Sequence, residues 1–135
     1  MRVFSLSPQQ VMTDAIWRDI RPLFQSFAQK TGEATPEHVR QGGADSDLQV
    51  WGLQDEKRVH AVAVTEVSET ARTPVCTVRI AYGSAPQTMQ EKLLDAMGAW
   101  AREIGCRKVR IVGRKGWLKR FPRFKQTAVV MEWDL

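Results

Sequence analysis

The stretch Val75–Val112 narrows the possible folds more than any other part of this sequence. Val75–Tyr82 reads as a strand, with Cys76, Val78, Ile80 and Tyr82 on one face and Thr77 and Arg79 on the other. Gly83-Ser84-Ala85-Pro86 interrupts it. Met89, Leu93, Met97, Trp100 and Ile104 then recur at steps of four, four, three and four, the spacing of one helical face, and Gly105 closes that helix. Cys106–Val112 follows as a short strand with Val109 and Ile111 inward. Strand, helix, strand in this order points to an α+β domain with a helix laid on a sheet.

The rest of the chain extends this architecture. Ser7-Pro8 is an N-cap followed by proline at the first helical position. Met12, Ile16, Ile20, Leu23 and Phe27 continue as an amphipathic helix that Gly32 stops. Pro22 lies inside it, so a kink or a break is expected near Ile20-Arg21. Thr35-Pro36 opens a short second helix carrying His38, which Gly42-Gly43 is expected to end. Leu48–Leu53 is a strand, Asp55-Glu56-Lys57 a polar turn, and Val59–Val67 a strand apolar on both faces, as in a sheet interior. Ser68–Thr73 turns the chain into Val75–Tyr82 as an antiparallel hairpin. After Val112 the spacing predicts a turn, one or two helical turns over Trp117–Phe121 ended by Pro122, and a last strand over Ala128–Trp133.

At 135 residues this is one domain, 1–135, large enough for a hydrophobic core. No apolar run approaches the ~20 residues of a membrane span, and Met1–Gln10 has no leader-like h-region. The two cysteines, Cys76 and Cys106, read as buried free thiols rather than a disulfide framework. The net charge of +5 is unevenly spread. Between Ile104 and Met131 lie nine cations and no acid, and the remainder of the chain is net −4. A local basic face of this kind attracts anions, whether cofactor phosphates, nucleic acid or an acidic protein, or else serves as a solvated face. No metal site, Walker loop, nucleophile elbow or zincin motif is present in the sequence.

Particular residues carry a family resemblance. Gln49-Val50-Trp51 on one strand, Val64-Thr65-Glu66 on another, the helix end Trp100-Ala101-Arg102 with Gly105-Cys106, and the run Gly113-Arg114-Lys115-Gly116-Trp117 together resemble the GNAT acyltransferase family, especially its small phage-encoded members. The resemblance implies a GNAT-like fold, a mixed, mostly antiparallel sheet flanked by helices. It also implies an acyl-CoA site: backbone of Ile80, Ala81 and Tyr82 along the pantetheine arm, and the loop of Gly83, Ser84, Gln87 and Thr88 around the pyrophosphate. Glu66 is then the candidate base.

Two features count against a working site of that kind. The loop has one glycine, and Pro86 removes an N–H that an anion seat would use. Where the family often has a tyrosine acid, this chain offers Phe121 and Phe124, which carry no proton to transfer. The cations Arg114, Lys115, Lys119, Arg120 and Arg123 are expected to radiate outward as an anion- or partner-binding surface, around a turn in which Gly113 or Gly116 takes an angle forbidden to side chains and Trp117 drops onto the sheet beside Trp100 or the helix. The reading that follows is a non-catalytic phage accessory or virion-associated protein with a degenerate acyl-CoA site. It would reside in the cytoplasm of the bacterial host or in the phage particle, with other virion proteins as partners and no cofactor. The alternatives are an active N-acetyltransferase using acetyl-CoA, and an accessory protein that binds nucleic acid through residues 107–125.

Overall fold

The strand Val59–Glu69 (β3) is apolar on both faces because it lies at the centre of the sheet, with helices above and below. The computed structural model describes residues 1–69, 72–113 and 115–135. The other strands are Arg2–Leu6 (β1), Gln49–Gln54 (β2), Pro74–Gly83 (β4) and Lys108–Ile111 (β5), in the spatial order β1-β2-β3-β4-β5. The first four are antiparallel neighbours; β4 and β5 run parallel, as a helical crossover between them requires. That crossover is Gln87–Glu103 (α4). It covers one face of the sheet, where Leu93 and Met97 pack on Trp51, Leu53, Ala63 and Val78. The other face is covered by Asp14–Thr31 (α2) and Pro36–Ala44 (α3), where Trp17, Ile20, Phe24 and Val39 pack on Val50, Val62, Val64 and Ile80. The fold is thus a mixed five-stranded sheet flanked by helices, as the sequence implies.

One strand departs from simple alternation. In β4 the register against β3 slips between Val64 and Thr65, which face Ile80 and Val78 respectively. Arg79 is the extra residue of a bulge. Cys76 and Val78 therefore face α4, whereas Ile80 and Tyr82 join the α2 layer. The expectation that all four share a face fails for this reason. Strict alternation counts residues, and a bulge adds one that does not count.

The N-terminal helix also differs from expectation. Pro8–Val11 (α1) is separate from α2, and the break falls at Met12-Thr13 rather than at Ile20-Arg21. The Thr13 hydroxyl donates to the Gln9 carbonyl, and the carbonyls freed at Val11 and Met12 accept from the Arg40 guanidinium at 3.1 and 2.8 Å. Arg40 also pairs with Asp14, the first residue of α2. With that bend satisfied, Pro22 sits on an exposed face of α2 and the helix runs through it. Gly32 ends α2 at φ 69°, as expected, while α3 runs past Gly42-Gly43 to Ala44.

At the C-terminal end Gly116–Arg120 (α5) is a single short helix, followed by the fully buried Phe121. The strand expected over Ala128–Trp133 is not formed: residues 121–135 have neither helix nor strand, and Val129, Val130, Met131, Trp133 and Leu135 are exposed. The N-terminal strand β1, which the sequence pattern did not announce, supplies the edge beside β2 instead. Both cysteines are buried and free. Burial pushes the Cys76 thiol up to about 11, helped by the nearby Cys106 and opposed by a hydrogen bond with Thr65.

Candidate functional site

β5 is four residues long and β4 is ten. Their pairing runs from Val75 with Lys108 to Val78 with Ile111 and stops there. From Arg79 to Gly83, β4 keeps β3 on one side and, among the described residues, has no strand on the other. A row of backbone N–H and C=O groups is thereby left without a ladder partner in mid-molecule.

Two clefts meet at this opening. The larger, about 650 Å³, is lined by Ala81, Tyr82, Gly83, Ser84 and Ala85, by Leu93, Leu94 and Met97 of α4, and by Ile111, Trp117 and Phe121. The smaller, about 420 Å³, lies against Phe27, Val39, Leu48 and Val64 on the α2–α3 side. Val78 borders both, and the adjacent residues Ile111 and Val112 border one each. The larger volume falls in the range of ordinary small-molecule sites.

The loop after β4 is built around Gly83, at φ 120°. A Cβ there would lie 2.3 Å from the His60 carbonyl oxygen and 2.6 Å from Ala61 Cα, so no other residue fits without displacing β3. This close approach lets the Ser84 N–H donate to the His60 carbonyl at 3.1 Å. Ser84 is therefore not a free donor for an anion. Pro86 stands at the N-cap of α4, one residue before the helix, and its carbonyl accepts from Met89 and Gln90. Ala85 is tied down by the Gln90 side chain, which donates to its carbonyl at 2.7 Å. The N–H groups of Gln87 and Thr88 stand in the first turn, where no acceptor exists within the helix.

The expected cations divide into three groups. Arg120 lines the larger cleft and donates to Gln90 Oε1 at 2.9 Å, while Gln87 Nε2 donates to the Arg120 carbonyl at 2.8 Å. Arg123 donates to Asp95 at 2.8 Å and to Glu91 at 2.5 Å, both on the flank of α4. These two do not radiate outward; they fasten the end of α5 to the start of α4. Lys115 and Lys119 are exposed and away from the cleft. Arg114 lies outside the described residues. Two cations that sequence reasoning missed, Lys30 of α2 and Arg58 before β3, line the larger cleft with Arg120, and among the described residues no carboxylate does. Lys30 sits over the Tyr82 ring at 5.2 Å. Their separation in sequence hides them; only the fold gathers them.

Neither Gly113 nor Gly116 has a positive φ, so the expected turn angle is absent. Gly113 instead lies under Trp117, whose Cδ1 would be 3.1 Å from an added Cβ. Trp117 packs on Phe121 at 5.1 Å, and Trp100 pairs edge-on with Trp51 rather than with Trp117.

Of the remaining expected residues, Ile80 is core and lines the smaller cleft, while Ala81 is exposed to the larger one. Thr88 is exposed and does not line the cleft. Glu66 lies in the smaller cleft with Glu33 and His38, and accepts from Arg79 Nη2 at 2.7 Å. His60 pairs with Asp55 at 2.6 Å beside the larger cleft. Backbone N–H groups of Arg58 and Lys57, together with His60, hold the Asp55 carboxyl far below the usual carboxylate range. Among the described residues no cluster of His, Cys, Asp and Glu is placed to hold a metal ion, and no helix is long and apolar enough to cross a membrane.

No family model matches this chain, and neither does any curated protein sequence. Solved structures do match it over nearly its whole length. An aminoglycoside acetyltransferase from an uncultured soil metagenomic sample, solved with sisomicin, superposes with a TM-score of 0.74 at 14% identity, covering 99% of this chain and 95% of that one. A predicted acetyltransferase from Clostridium acetobutylicum, solved with acetyl-CoA, gives 0.69 at 14% identity over 98% and 95%. Glucosamine-6-phosphate N-acetyltransferase from Arabidopsis thaliana gives 0.69 at 12% over 98% and 97%. At these identities the likeness establishes the fold, which is that of the GNAT acetyltransferases.

Proposed function

We propose that this protein is an acyl-CoA-dependent N-acyltransferase working by direct attack of an acceptor amine on the bound acyl group. The observation that carries this reading is the opening beyond the Val78–Ile111 pair, where an unpaired strand edge borders two clefts at once. An extended, amide-bearing arm such as pantetheine pairs with the free edge of a strand by ordinary ladder hydrogen bonds. In this arrangement Ala81 to Gly83 hold the arm in the larger cleft. Arg120, Lys30 and Arg58, which line that cleft, meet the phosphates. The acyl end reaches Val78, and the amine approaches from the smaller cleft.

The acceptor amine must be neutral to attack. Glu66, in the smaller cleft, takes its proton, and the Arg79 ion pair fixes the carboxylate orientation. The amine nitrogen then bonds to the acyl carbon and gives up a second proton to water in the cleft, the carbon–sulfur bond breaks, and the CoA thiolate leaves. Phe121, which lines the larger cleft, carries no proton to transfer, and the thiolate takes its proton from water in the cleft. A CoA thiol is acidic enough to leave without a dedicated acid, at some cost in rate. Loss of general base assistance in Glu66→Gln should lower turnover by about 10²–10⁴-fold while leaving acyl-CoA affinity unchanged. Free thiol released from acetyl-CoA in the presence of a panel of amines measures both. An unchanged rate in the variant removes Glu66 from this role.

A second reading is favoured by the Ser84 N–H being consumed by His60 and by the absence of a proton-bearing side chain at Phe121. In it the fold serves as a phage accessory or virion-associated protein, and the basic segment 107–125 meets an acidic partner or packaged DNA. Failure of acetyl-CoA to bind, together with recovery of the protein in purified particles, supports this second reading over the first.

A further inference from the structure

One side chain folds the turn that joins β2 to β3. Asp55 Oδ1 accepts from the N–H groups of Lys57 and Arg58 at 2.8 and 2.9 Å, and the Asp55 N–H donates to the Arg58 carbonyl at 3.1 Å. Asp55 Oδ2 is bonded to His60 Nε2 at 2.6 Å. An aspartate that accepts from its own backbone two and three residues on closes a tight turn. His60 is the extra residue of a bulge, since Gln54 faces Val59 while Leu53 faces Ala61. Its carbonyl accepts from the Ser84 N–H at 3.1 Å. His60 thus holds the turn with its ring and the loop after β4 with its backbone.

These bonds engage both Asp55 oxygens, and the Arg58 guanidinium has no carboxylate partner among the described residues. Arg21, Arg40, Arg79 and Arg123, by contrast, are each paired with a carboxylate. Arg58 and His60 line the larger cleft, and Asp55 does not. An unpaired cation on the wall of a cleft, carried by a backbone that is pinned on both sides, is placed to receive an anion.

We propose that Asp55 is a positioning residue for the acyl-CoA phosphates, acting through Arg58: it folds the turn that carries this cation and, with His60, fastens that turn to the loop at Ser84. The proposal rests on the reading of the larger cleft as an acyl-CoA site, and adds to it the element that fixes Arg58 in place. The arm lies along Ala81 to Gly83 in that reading, and Gly83 is packed so closely on β3 that a Cβ would stand 2.3 Å from the His60 carbonyl oxygen. The phosphate end of the arm and the turn bearing Arg58 therefore meet at the same end of β4. A cation on a loose turn would lose backbone and side-chain freedom on closing over a phosphate; a turn folded beforehand avoids that cost.

The test compares two ligands: acetyl-CoA, titrated by calorimetry, and acetyl-pantetheine, which has the arm and the thioester but no phosphate, titrated by NMR chemical shifts. Asp55→Ala and Arg58→Ala should each weaken acetyl-CoA binding by about tenfold, and neither should change acetyl-pantetheine binding. The double variant should be no weaker than either single one, because both act through the same cation. Asp55→Asn keeps an oxygen for the two turn N–H groups and should stay within about twofold of the wild type. His60→Ala leaves those N–H bonds in place and loosens only the fastening, so it should act in the same direction as Asp55→Ala by a smaller factor; it serves if Asp55→Ala does not fold. In a wild type that binds acetyl-CoA, an Asp55→Ala variant that is unchanged, or weakened equally toward both ligands, overturns this proposal and leaves the acyltransferase reading standing. Additive losses in the double variant, or acetyl-CoA bound no more tightly than acetyl-pantetheine, do the same. A wild type that binds neither ligand removes the acyltransferase reading and this proposal with it.

Discussion

Val78 and Ile111 form the last rung between β4 and β5, and both side chains border the larger cleft where the two strands part. The bulge at Arg79 lies immediately beyond this rung and turns the rest of β4 toward the α2 layer. The opening is thus a product of strand length and one extra residue, with no loop needed to hold it apart.

Gly83→Ala should be destabilising and should also damage the cleft. The new Cβ would meet the His60 carbonyl and Ala61 Cα well inside contact distance, at a φ that side chains avoid. Backbone strain of this kind costs about 1–3 kcal/mol. Urea unfolding should show the loss as a lower midpoint with an unchanged slope.

Arg120→Ala and Lys119→Ala should separate cleft cations from surface cations. Arg120 lines the larger cleft and bridges to Gln90, whereas Lys119 is exposed and lines neither cleft. A charge-assisted contact to phosphate contributes about 1.5–3 kcal/mol, so Arg120→Ala should weaken acetyl-CoA binding by roughly tenfold or more. Lys119→Ala should leave it unchanged. Titration calorimetry at fixed ionic strength reads both.

The buried Cys76 gives a pH dependence of definite sign. Its thiol is pushed from the ordinary 9.0 up to about 11, chiefly by burial. The unfolded chain therefore releases this proton at lower pH than the folded one. The contribution to stability is fully present below the ordinary thiol pKa and is lost as pH rises through the interval up to about 11. Cys76→Ala should flatten this alkaline decline in urea midpoints. In the wild type, a thiol-specific reagent should label neither cysteine before the protein unfolds.

Much of this architecture is legible in the residues. Met89, Leu93 and Met97 announce α4 by spacing, and Val59–Val67 announces an interior strand by being apolar at successive positions. What was not legible depends on contacts distant in sequence. The break at Thr13 needs Arg40, 27 residues later, to receive the freed carbonyls; local rules instead pointed to Pro22, which an exposed helix face tolerates. The bulge at Arg79 has no composition signal, so the faces of Ile80 and Tyr82 were misassigned. Along one strand and loop, the expected residues from Ala81 to Ser84 line the larger cleft. Lys30 and Arg58 were invisible because they come from other elements, and Arg123 was expected to point outward toward an anion or partner because its own partners, on α4, are distant in sequence.

The central claim is that the opening beyond Val78 receives the acyl-bearing arm of acyl-CoA, and Ala81 is the exposed small residue through which to test it. The measurement is the melting temperature with and without saturating acetyl-CoA, for the wild type and for Ala81→Trp. A ligand at about 100 times its Kd adds about 2.7 kcal/mol to folding stability, which is an upward shift of several degrees. The account predicts that shift in the wild type and its loss in Ala81→Trp, whose melting temperature without ligand stays near that of the wild type. No shift in the wild type, or an equal shift in both proteins, contradicts it.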